Sequence, residues 1–180
     1  MTHALDPISI RSARADDLPG LGPLELQAAA RFADSLHPYA QELPPFDAGE
    51  LGELQRAGTV WVAVGADDLP VGFAIAGWLG GEPYLHELDV APKYARRGIG
   101  RALIARVAAW ASSSGHDSLL LSTFADVPWN APYYARLGFE TIPLAAYTQV
   151  LLDQRARDAA AGLRVESRVI MRAPLARLLQ

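Results

Sequence analysis

The stretch Val90-Ala-Pro-Lys-Tyr-Ala-Arg-Arg-Gly-Ile-Gly-Arg101 leads from the end of an apolar segment into a strongly periodic helix. Two glycines, Gly98 and Gly100, open that helix, and the free N–H groups and dipole of a helix N-terminus attract anions. Glycine has no Cβ, so the main chain there can approach phosphate oxygens closely. Arginines crowd the same turn, although positive charge at a helix start is unfavourable unless an anion lies among them. The stretch therefore predicts a phosphate-binding turn between a strand and a helix.

The simplest alternative to a phosphate-binding site is that the two glycines only allow a tight turn from strand to helix and that no ligand binds there. A dinucleotide-binding fingerprint would need a third glycine where this chain has Leu103. A Walker-type nucleotide site would need a Gly-Lys-Ser or Gly-Lys-Thr sequence, which does not occur. If the turn binds a ligand, we expect a pyrophosphate-bearing cofactor of another kind, of which coenzyme A is the common example.

The segments on either side of the turn predict a mixed sheet. Before it, three apolar runs are joined by short links, and the link 67–70 is typical of a hairpin turn, so these strands are expected to be antiparallel. After it, apolar residues at helical spacing continue up to Gly115, and an apolar strand then completes a βαβ unit over 84–124. The predicted strands cover about 8–14, 59–66, 71–81, 84–91, 118–124, 139–142 and 164–172, and the predicted helices about 20–35, 47–57, 98–115, 130–137 and 147–161.

The composition is typical of a soluble chain with one domain. Its 180 residues are 51% hydrophobic and 20% charged, which is enough apolar side chain for one core and too little length for two. The net charge of −4, with scattered basic residues, argues against a nucleic-acid partner and favours a cationic small molecule. Without cysteine there is no disulfide, no Cys-ligated zinc and no thiol nucleophile, and the histidines are not spaced as a metal pair. The longest apolar stretch, 71–79, is far shorter than the roughly 20 residues of a membrane helix, so we expect a cytoplasmic protein without a membrane partner.

The turn resembles the core motif of the GCN5-related N-acetyltransferase (GNAT) family, Gln/Arg-x-x-Gly-x-Gly/Ala after a strand and a loop. The matching residues are Ala95-Arg96-Arg97-Gly98-Ile99-Gly100. Ala95 departs from the usual Gln or Arg, which removes one side chain near the phosphates, and Arg96 or Arg97 would compensate. A second family signature, a tyrosine followed four residues later by Gly-Phe, is present as Tyr134-Ala-Arg-Leu-Gly138-Phe139. Both motifs, in the right order within about residues 59–142, identify the chain as a member of the family.

The resemblance implies a fold and a cosubstrate. GNAT proteins share an α/β fold with a mixed, mostly antiparallel sheet flanked by helices. Their fourth and fifth strands splay apart, and the pantetheine arm of acetyl-CoA lies in the gap. The chain would then be one domain over 1–180, with a cofactor-binding core at about 59–142, acceptor-side helices at about 16–57 and a C-terminal helix and strand at about 147–173. The expected acetyl-CoA ligands are Leu88, Asp89 and Val90 for pantetheine, and Arg96, Arg97, Gly98, Ile99, Gly100 and Arg101 around the pyrophosphate.

Acetyl transfer to an amine needs a base for the amine, donors for the tetrahedral oxyanion and an acid for the departing thiolate. By its place in the second motif, Tyr134 is the expected acid, and it also lies among the expected cofactor-binding residues. A phenol with a reference pKa of about 10 is protonated at neutral pH. The alternative is a tyrosine that only packs on the sheet, a role that we expect for the neighbouring Tyr133.

The base is expected on the strand before the cofactor turn, which carries Tyr84, His86, Glu87 and Asp89. We favour His86, because some small-amine members of the family carry a catalytic histidine at this place and a reference pKa of about 6.5 suits the task. Glu87 is the rival. Regular alternation would place these two side chains on opposite faces, but this strand usually carries a β-bulge in the family, which shifts the parity. Deprotonation through ordered water, as in many members, is a further alternative.

The acceptor side is expected in the irregular segment 20–57 and near the start of the helix at 130–137. Asn130-Ala-Pro-Tyr-Tyr resembles the start of that helix in puromycin-type small-molecule acetyltransferases, and Asn130 either caps the helix or contacts coenzyme A. We predict an acetyl-CoA-dependent N-acetyltransferase, a monomer or homodimer, that acetylates a primary amine of a small molecule by direct transfer in a ternary complex. A protein N-terminal or lysine acetyltransferase and a non-catalytic coenzyme A sensor are the alternatives. The expected acceptor-binding residues are Phe32, His37, Tyr39, Phe46, Tyr84 and Trp129.

Overall fold

Runs of β-branched and aromatic residues form one mixed sheet in the computed structural model, which describes residues 7–180. Its strands are β1 (Ser9–Ser12), β2 (Val60–Val64), β3 (Pro70–Leu79), β4 (Glu82–Val90), β5 (Ser118–Phe124), β6 (Glu140–Thr141) and β7 (Arg168–Pro174). They lie in the order β1-β2-β3-β4-β5-β7-β6, and only the β4–β5 pair is parallel. The predicted α/β fold with a mostly antiparallel sheet is confirmed.

Helices cover both faces of the sheet. They are α1 (Leu18–Ala29), α2 (Ala48–Arg56), α3 (Ile99–Ser113), α4 (Ala131–Leu137), α5 (Gln149–Ala160) and α6 (Leu175–Leu178). The helix predicted over 20–35 ends at Ala29 and continues as a 3-10 turn, and the strand predicted over 164–172 begins only at Arg168, after another 3-10 turn. Within residues 7–180, no helix is long and apolar enough to cross a lipid bilayer.

The two helical layers have separate cores. On one face, α3 packs on the strands β2 to β5 and buries Leu103 and Val107 completely. Leu121 of β5 belongs to the same core. On the other face, α1 and α2 pack on β2 and β3, with Leu21 and Phe73 almost fully buried. Each side chain of this size contributes about 1.5–3 kcal/mol when it is withdrawn from water. The sheet is therefore a rigid platform, and the features of its central strand are held firmly in place.

Strand β4 carries two irregularities that shape the centre of the molecule. Its pairing with β5 is limited to Tyr84–Leu120 and Leu85–Leu121, so residues 87–90 have no strand partner on that side. Opposite β3, the register skips from Leu85 to Glu87, which makes His86 the extra residue of a β-bulge. The splayed strands implied by the resemblance are present, and so is the bulge.

Candidate active site

The turn before α3 is built to receive an anion. Arg96 and Gly98 have positive φ angles of 60° and 79°, and left-handed residues in such a turn direct successive N–H groups toward a common point. Gly98 is the N-cap of the 15-residue α3 and has no side chain that could accept from the first-turn N–H groups. Arg97 lies over the ring of Tyr94, with its guanidinium carbon 5.2 Å from the ring centroid. The residues therefore fit the phosphates of a cofactor at this place.

Gly100 is required because α4 approaches the turn closely. A Cβ at Gly100 would lie 2.7 Å from the Tyr133 hydroxyl oxygen, and Leu88 would be its next neighbouring side chain, at 3.9 Å. Burial raises the pKa of Tyr133. The hydroxyl of Tyr133 thus lies directly over the first turn of α3, where the cofactor is expected to bind.

Tyr134 points the other way, into the centre of the molecule. Only 9% of it is exposed, and its ring makes edge contacts with Tyr133 and Phe139 at centroid distances of 5.4 and 5.6 Å. Burial, followed by the negative charge of Glu87, raises the pKa of the phenol above its ordinary value. The phenol therefore stays protonated over the physiological range and can donate its proton to a departing anion.

Asn130 occupies the N-cap position of α4, but its side chain accepts no hydrogen bond from the helix, so the alternative of a side-chain cap is wrong. Its amide Nδ2 instead donates to Thr123 Oγ1 on β5, at 2.8 Å. The Asn130 Oδ1 is buried and has no hydrogen-bond partner among the described residues. A buried acceptor without a partner costs free energy unless a ligand supplies a donor. This oxygen is thus free to accept a hydrogen bond from a ligand.

Three carboxyl groups come together between α1 and β4. Glu25 is held by the Phe46 main-chain N–H, which donates to its Oε2 at 3.0 Å, and Glu87 Oε1 accepts from the Leu88 N–H at 3.2 Å. Burial and the charge of Glu87 raise the pKa of Glu25 to about 7. Burial, together with the charges of Glu87 and Glu25, raises the pKa of Asp89 well above its usual range, and burial also raises that of Glu87. Among the described residues, no group of carboxyl side chains is arranged to hold a metal ion. Positive charge offsets this pocket only in part, since Arg31 acts on Asp89 and Arg168 acts on Glu87.

His86 lies beside this pocket rather than across the sheet from it. Its ring makes edge contacts with Phe46 and Tyr84 at 6.0 and 5.0 Å, and it covers Gly77, where a Cβ would lie 2.7 Å from Nε2. Burial, then the charge of Arg157, lowers the pKa of His86 to about 4. The imidazole is therefore neutral at pH 7 and only weakly basic. Tyr84 is 3% exposed and belongs to the core beneath it.

Four of the six predicted acceptor-side residues, Phe32, His37, Tyr39 and Trp129, assemble around the end of β5. Phe46 and Tyr84 lie elsewhere, beside His86. Phe32 packs against Phe124 and Trp129 at centroid distances of 5.4 and 5.7 Å, and His37 stacks on Phe124 at 4.5 Å. His37 is 4% exposed, and its Nε2 lies 2.7 Å from an Asp126 carboxylate oxygen. These side chains form an aromatic cluster at the end of β5, which is called the wall below.

Another member of this wall is tied to a distant segment. The Tyr39 hydroxyl accepts from the Arg164 main-chain N–H at 2.8 Å, and the Arg164 guanidinium lies 4.5 Å from the Tyr39 ring centroid. This links the acceptor-side segment to the loop before β7. The polar end of Tyr39 is therefore engaged in fixing the wall.

Sequence reasoning missed two charged residues of the site, Glu25 and Arg31. Arg31 lies over the Trp129 ring at 4.3 Å and is attracted by Asp89. The clue for Glu25 is its position in α1, one helical turn after the buried Leu21, where an apolar residue would be expected. A carboxyl group on the buried stripe of a helix indicates a functional pocket or a buried ion pair.

The comparison with known families agrees with this geometry. The model of the acetyltransferase (GNAT) family matches residues 25–139, a span that includes the turn at 95–100 and the signature ending at Phe139. The chain belongs to the GNAT family. The predicted class, an acetyl-CoA-dependent N-acetyltransferase, is thereby confirmed.

Solved structures with the GNAT fold cover almost the whole chain. The PaiA N-acetyltransferase of Thermoplasma acidophilum in complex with coenzyme A has a TM-score of 0.68 at 16% identity, covering 93% of this chain and 99% of that one. Rv2747 of Mycobacterium tuberculosis, in complex with CoA and NLQ, has 0.67 at 20% identity, covering 92% and 98%. The ribosomal-protein-S18-alanine N-acetyltransferase of Escherichia coli has 0.61 at 21% identity, covering 94% of each chain. At these identities the likeness establishes the fold, and the acceptor must be argued from this chain's own residues.

Proposed function

We propose that this GNAT protein transfers the acetyl group of acetyl-CoA directly to a primary amine of a small cationic molecule. The observation that carries this proposal is the convergence of Glu25, Glu87 and Asp89 on the cleft between α1 and β4, at the level where β4 and β5 separate and where Tyr134 carries its proton. An ammonium group that enters this pocket stabilises the ionised form of its three carboxyl groups, which Arg31 and Arg168 offset only in part, whereas an acidic acceptor is repelled.

The cofactor is proposed to lie along β4 and across the turn. Main-chain groups of 88–90, which have no strand partner toward β5, would bind pantetheine as a further strand does. The N–H groups of 97–101 would bind the pyrophosphate. The buried Oδ1 of Asn130, which has no partner among the described residues, would accept from an amide N–H of the pantetheine arm; its unmet hydrogen bond supports this proposal. Acetyl-CoA, when bound, supplies the thioester carbonyl.

Glu87 is proposed as the proton acceptor in preference to His86. A base whose pKa is lowered to about 4 holds a proton poorly, whereas burial raises the pKa of the Glu87 carboxyl. Glu87 takes a proton from the ammonium, and the freed lone pair forms the C–N bond. The C–S bond would then break as the Tyr134 hydroxyl gives its proton to the departing thiolate sulfur. The second proton that the acetylated nitrogen must lose would return to the Tyr134 oxygen, so that one proton in total leaves through Glu87. The positions of Glu25 and Asp89 suit a remaining positive charge on the acceptor.

An amine panel tests the proposal by release of free thiol from acetyl-CoA. The panel contains diamines, amines with a neutral tail, acidic amino acids and peptides with a free N-terminus. We expect diamines to have the highest kcat/KM. We also expect Glu25→Gln to lower kcat/KM for diamines by about tenfold, a loss of roughly 1.4 kcal/mol, with little change for the neutral-tail amines.

Glu53→Gln is the matched control, since Glu53 is an exposed glutamate on α2. It should leave the acceptor preference unchanged. Preference for acidic amino acids, or acetylation of peptides alone, would overturn the proposed acceptor. Binding of acetyl-CoA without thiol release on any amine would indicate a non-catalytic coenzyme A sensor.

A further inference from the structure

Three buried side-chain polar atoms have no hydrogen-bond partner among residues 7–180: Asn130 Oδ1, His37 Nδ1 and Trp129 Nε1. The proposed function assigns the first to the pantetheine arm and leaves the other two without a role. A buried donor or acceptor without a partner is costly, and native structures contain few of them. Two such atoms in one aromatic cluster therefore indicate a place where a ligand completes the hydrogen bonds.

The ring of His37 is held so that one of its nitrogens has no partner. Nε2 lies 2.7 Å from a carboxylate oxygen of Asp126, and the ring stacks on Phe124 with an interplanar angle of 17°. Only 4% of His37 is exposed. A carboxylate can only accept, so Nε2 donates its hydrogen to Asp126, and in the neutral imidazole Nδ1 remains as an acceptor. No described residue donates to this nitrogen.

The indole of Trp129 offers the complementary function, because its Nε1–H can only donate. The ring is fixed on one side by the edge of Phe32, at a centroid distance of 5.7 Å, and by the Arg31 guanidinium carbon, 4.3 Å from the ring centroid. Phe32 also contacts Phe124, on which His37 stacks. The wall thus contains one unused acceptor and one unused donor, both held by ring contacts.

Two arginines link the wall to the carboxyl pocket of Glu25, Glu87 and Asp89. Arg31, which lies over Trp129, is attracted by Asp89. Arg168 lies 5.0 Å from the Phe124 ring centroid and acts on the charge of Glu87. An acceptor whose ammonium group enters the pocket would therefore have the rest of its chain beside the wall.

The two unused atoms restrict the chemistry of that chain. A second ammonium group would donate to His37 Nδ1 and leave the Trp129 N–H without an acceptor. A carboxylate or phosphate would accept from Trp129, but Asp126 and the carboxyl pocket repel it. A hydroxyl group both donates and accepts, and it rotates to suit its partners. The methylene groups that carry it can pack on the aromatic rings.

We propose that His37 and Trp129 determine acceptor specificity by binding a hydroxyl group, so that the preferred acceptors are hydroxylated cationic amines. This inference rests on the proposed function, because it requires the acceptor amine to lie at the carboxyl pocket.

Pairs of diamines that are identical except for one hydroxyl test the inference, with the hydroxyl at increasing distance from the reacting amine. Thiol release from acetyl-CoA gives kcat/KM for each member of a pair. The wild-type protein should favour the hydroxylated member of at least one pair by about ten- to a hundredfold, mainly through KM, since the parent diamine leaves buried polar atoms unpaired.

Two substitutions locate this preference. Trp129→Phe keeps an aromatic ring and removes the N–H donor, and His37→Phe keeps a ring for the stack on Phe124 and removes both nitrogens. Each should reduce the preference to less than about threefold. Trp78→Phe and His116→Phe are the matched controls, because these residues form a separate aromatic group with Trp110 of α3, and they should leave the preference unchanged. Melting temperatures establish that each variant is folded.

The outcomes separate this inference from the proposed function. If the wild-type protein acetylates both members of every pair equally, the inference is wrong and the proposed function stands. A hydroxyl preference that persists in both folded variants, or a stronger preference for carboxamide analogues, would also overturn the inference. If acetyl-CoA binds but no amine releases thiol, the inference and the proposed function both fail.

Discussion

Replacing Gly100 by alanine separates the packing role of this glycine from its role toward the cofactor. Gly100 lies in the first turn of α3, where alanine is favoured over glycine by about 1 kcal/mol. The added Cβ would lie 2.7 Å from the Tyr133 hydroxyl oxygen, however, so this side chain or the helix must shift. Overpacking of this kind costs about 1–3 kcal/mol. We therefore expect a net loss of up to about 2 kcal/mol in the free energy of unfolding.

The contact can be removed by a second substitution, Tyr133→Phe. Without the hydroxyl, the nearest ring atom to the new Cβ is Cζ at 3.6 Å, which is ordinary van der Waals contact. In this background Gly100→Ala should stabilise the protein by up to about 1 kcal/mol. In a chain of this length, roughly 2–4 °C of melting temperature corresponds to 1 kcal/mol. The effect of Gly100→Ala on the melting temperature should thus change sign between the two backgrounds.

Acetyl-CoA affinity should behave differently from stability. A branched side chain at the place where phosphate must approach the main chain, introduced by Gly100→Val, should weaken binding by at least about tenfold, or roughly 1.4 kcal/mol. Gly100→Ala should change the affinity little, because the family motif allows alanine at this position. Calorimetric titration of the wild-type protein and both variants measures this. If Gly100→Val binds acetyl-CoA as tightly as the wild-type protein, the cofactor does not approach Gly100, and the phosphate-binding interpretation of the turn is wrong.

Three further substitutions test the chemistry of the site. Tyr134→Phe should lower turnover by about a hundredfold, the low end for general-acid assistance, because a thiolate leaves fairly readily without help. Unchanged turnover on acetyl-CoA would show that Tyr134 is not the acid. A smaller loss with an acyl donor whose thiol is more acidic would support the role of Tyr134 as the acid. Glu87→Gln should lower kcat/KM most below the pKa of the acceptor amine, with recovery as pH rises, while His86→Ala should leave this profile largely intact; the opposite pattern would transfer the role to His86. The pKa of Glu25 is about 7 in the folded protein and near 4.3 in the unfolded chain. Between these values only the unfolded chain loses this proton, so the free energy of unfolding falls as pH rises from about 4.3 to 7 and the loss is complete above pH 7. Glu25→Gln removes this loss and should therefore raise the melting temperature more at pH 8 than at pH 5. An equal shift at both pH values would mean that this carboxyl is not destabilised by its buried neighbours.

The fold was largely predictable from sequence because its decisive signals are local. The hairpin link, the periodic helix α3 and the glycines at 98 and 100 each act through residues within one or two turns of one another. Element ends were less predictable. Residues 30–34 and 165–167 form 3-10 turns, and α6 is only four residues long, so none of the three leaves a clear periodic pattern. Such short elements are set by what they pack against.

The candidate site was only partly predictable, for the same reason. Tyr134 and the turn stand in motifs of fixed spacing. Glu25 and Glu87 are distant in the chain and meet only because α1 packs on β4. The cap prediction for Asn130 failed because its amide finds Thr123 on β5, a partner that helix-capping rules do not include. The charge of the pocket therefore depends on contacts between residues that are far apart in the chain, and local sequence patterns do not show such contacts.

The bulge at His86 shows how one irregularity sets two parts of the site. Before it, Leu85 faces α3, and beyond it Leu88 does so again. The extra residue lets both His86 and Glu87 face the α1–α2 layer, whereas regular alternation would turn Glu87 toward α3. Pairing with β5 also ends at Leu85, immediately before the bulge. The same extra residue thus accompanies both the opening that would receive pantetheine and the placement of Glu87 beside it, so base and thioester would meet without any further adjustment of the sheet.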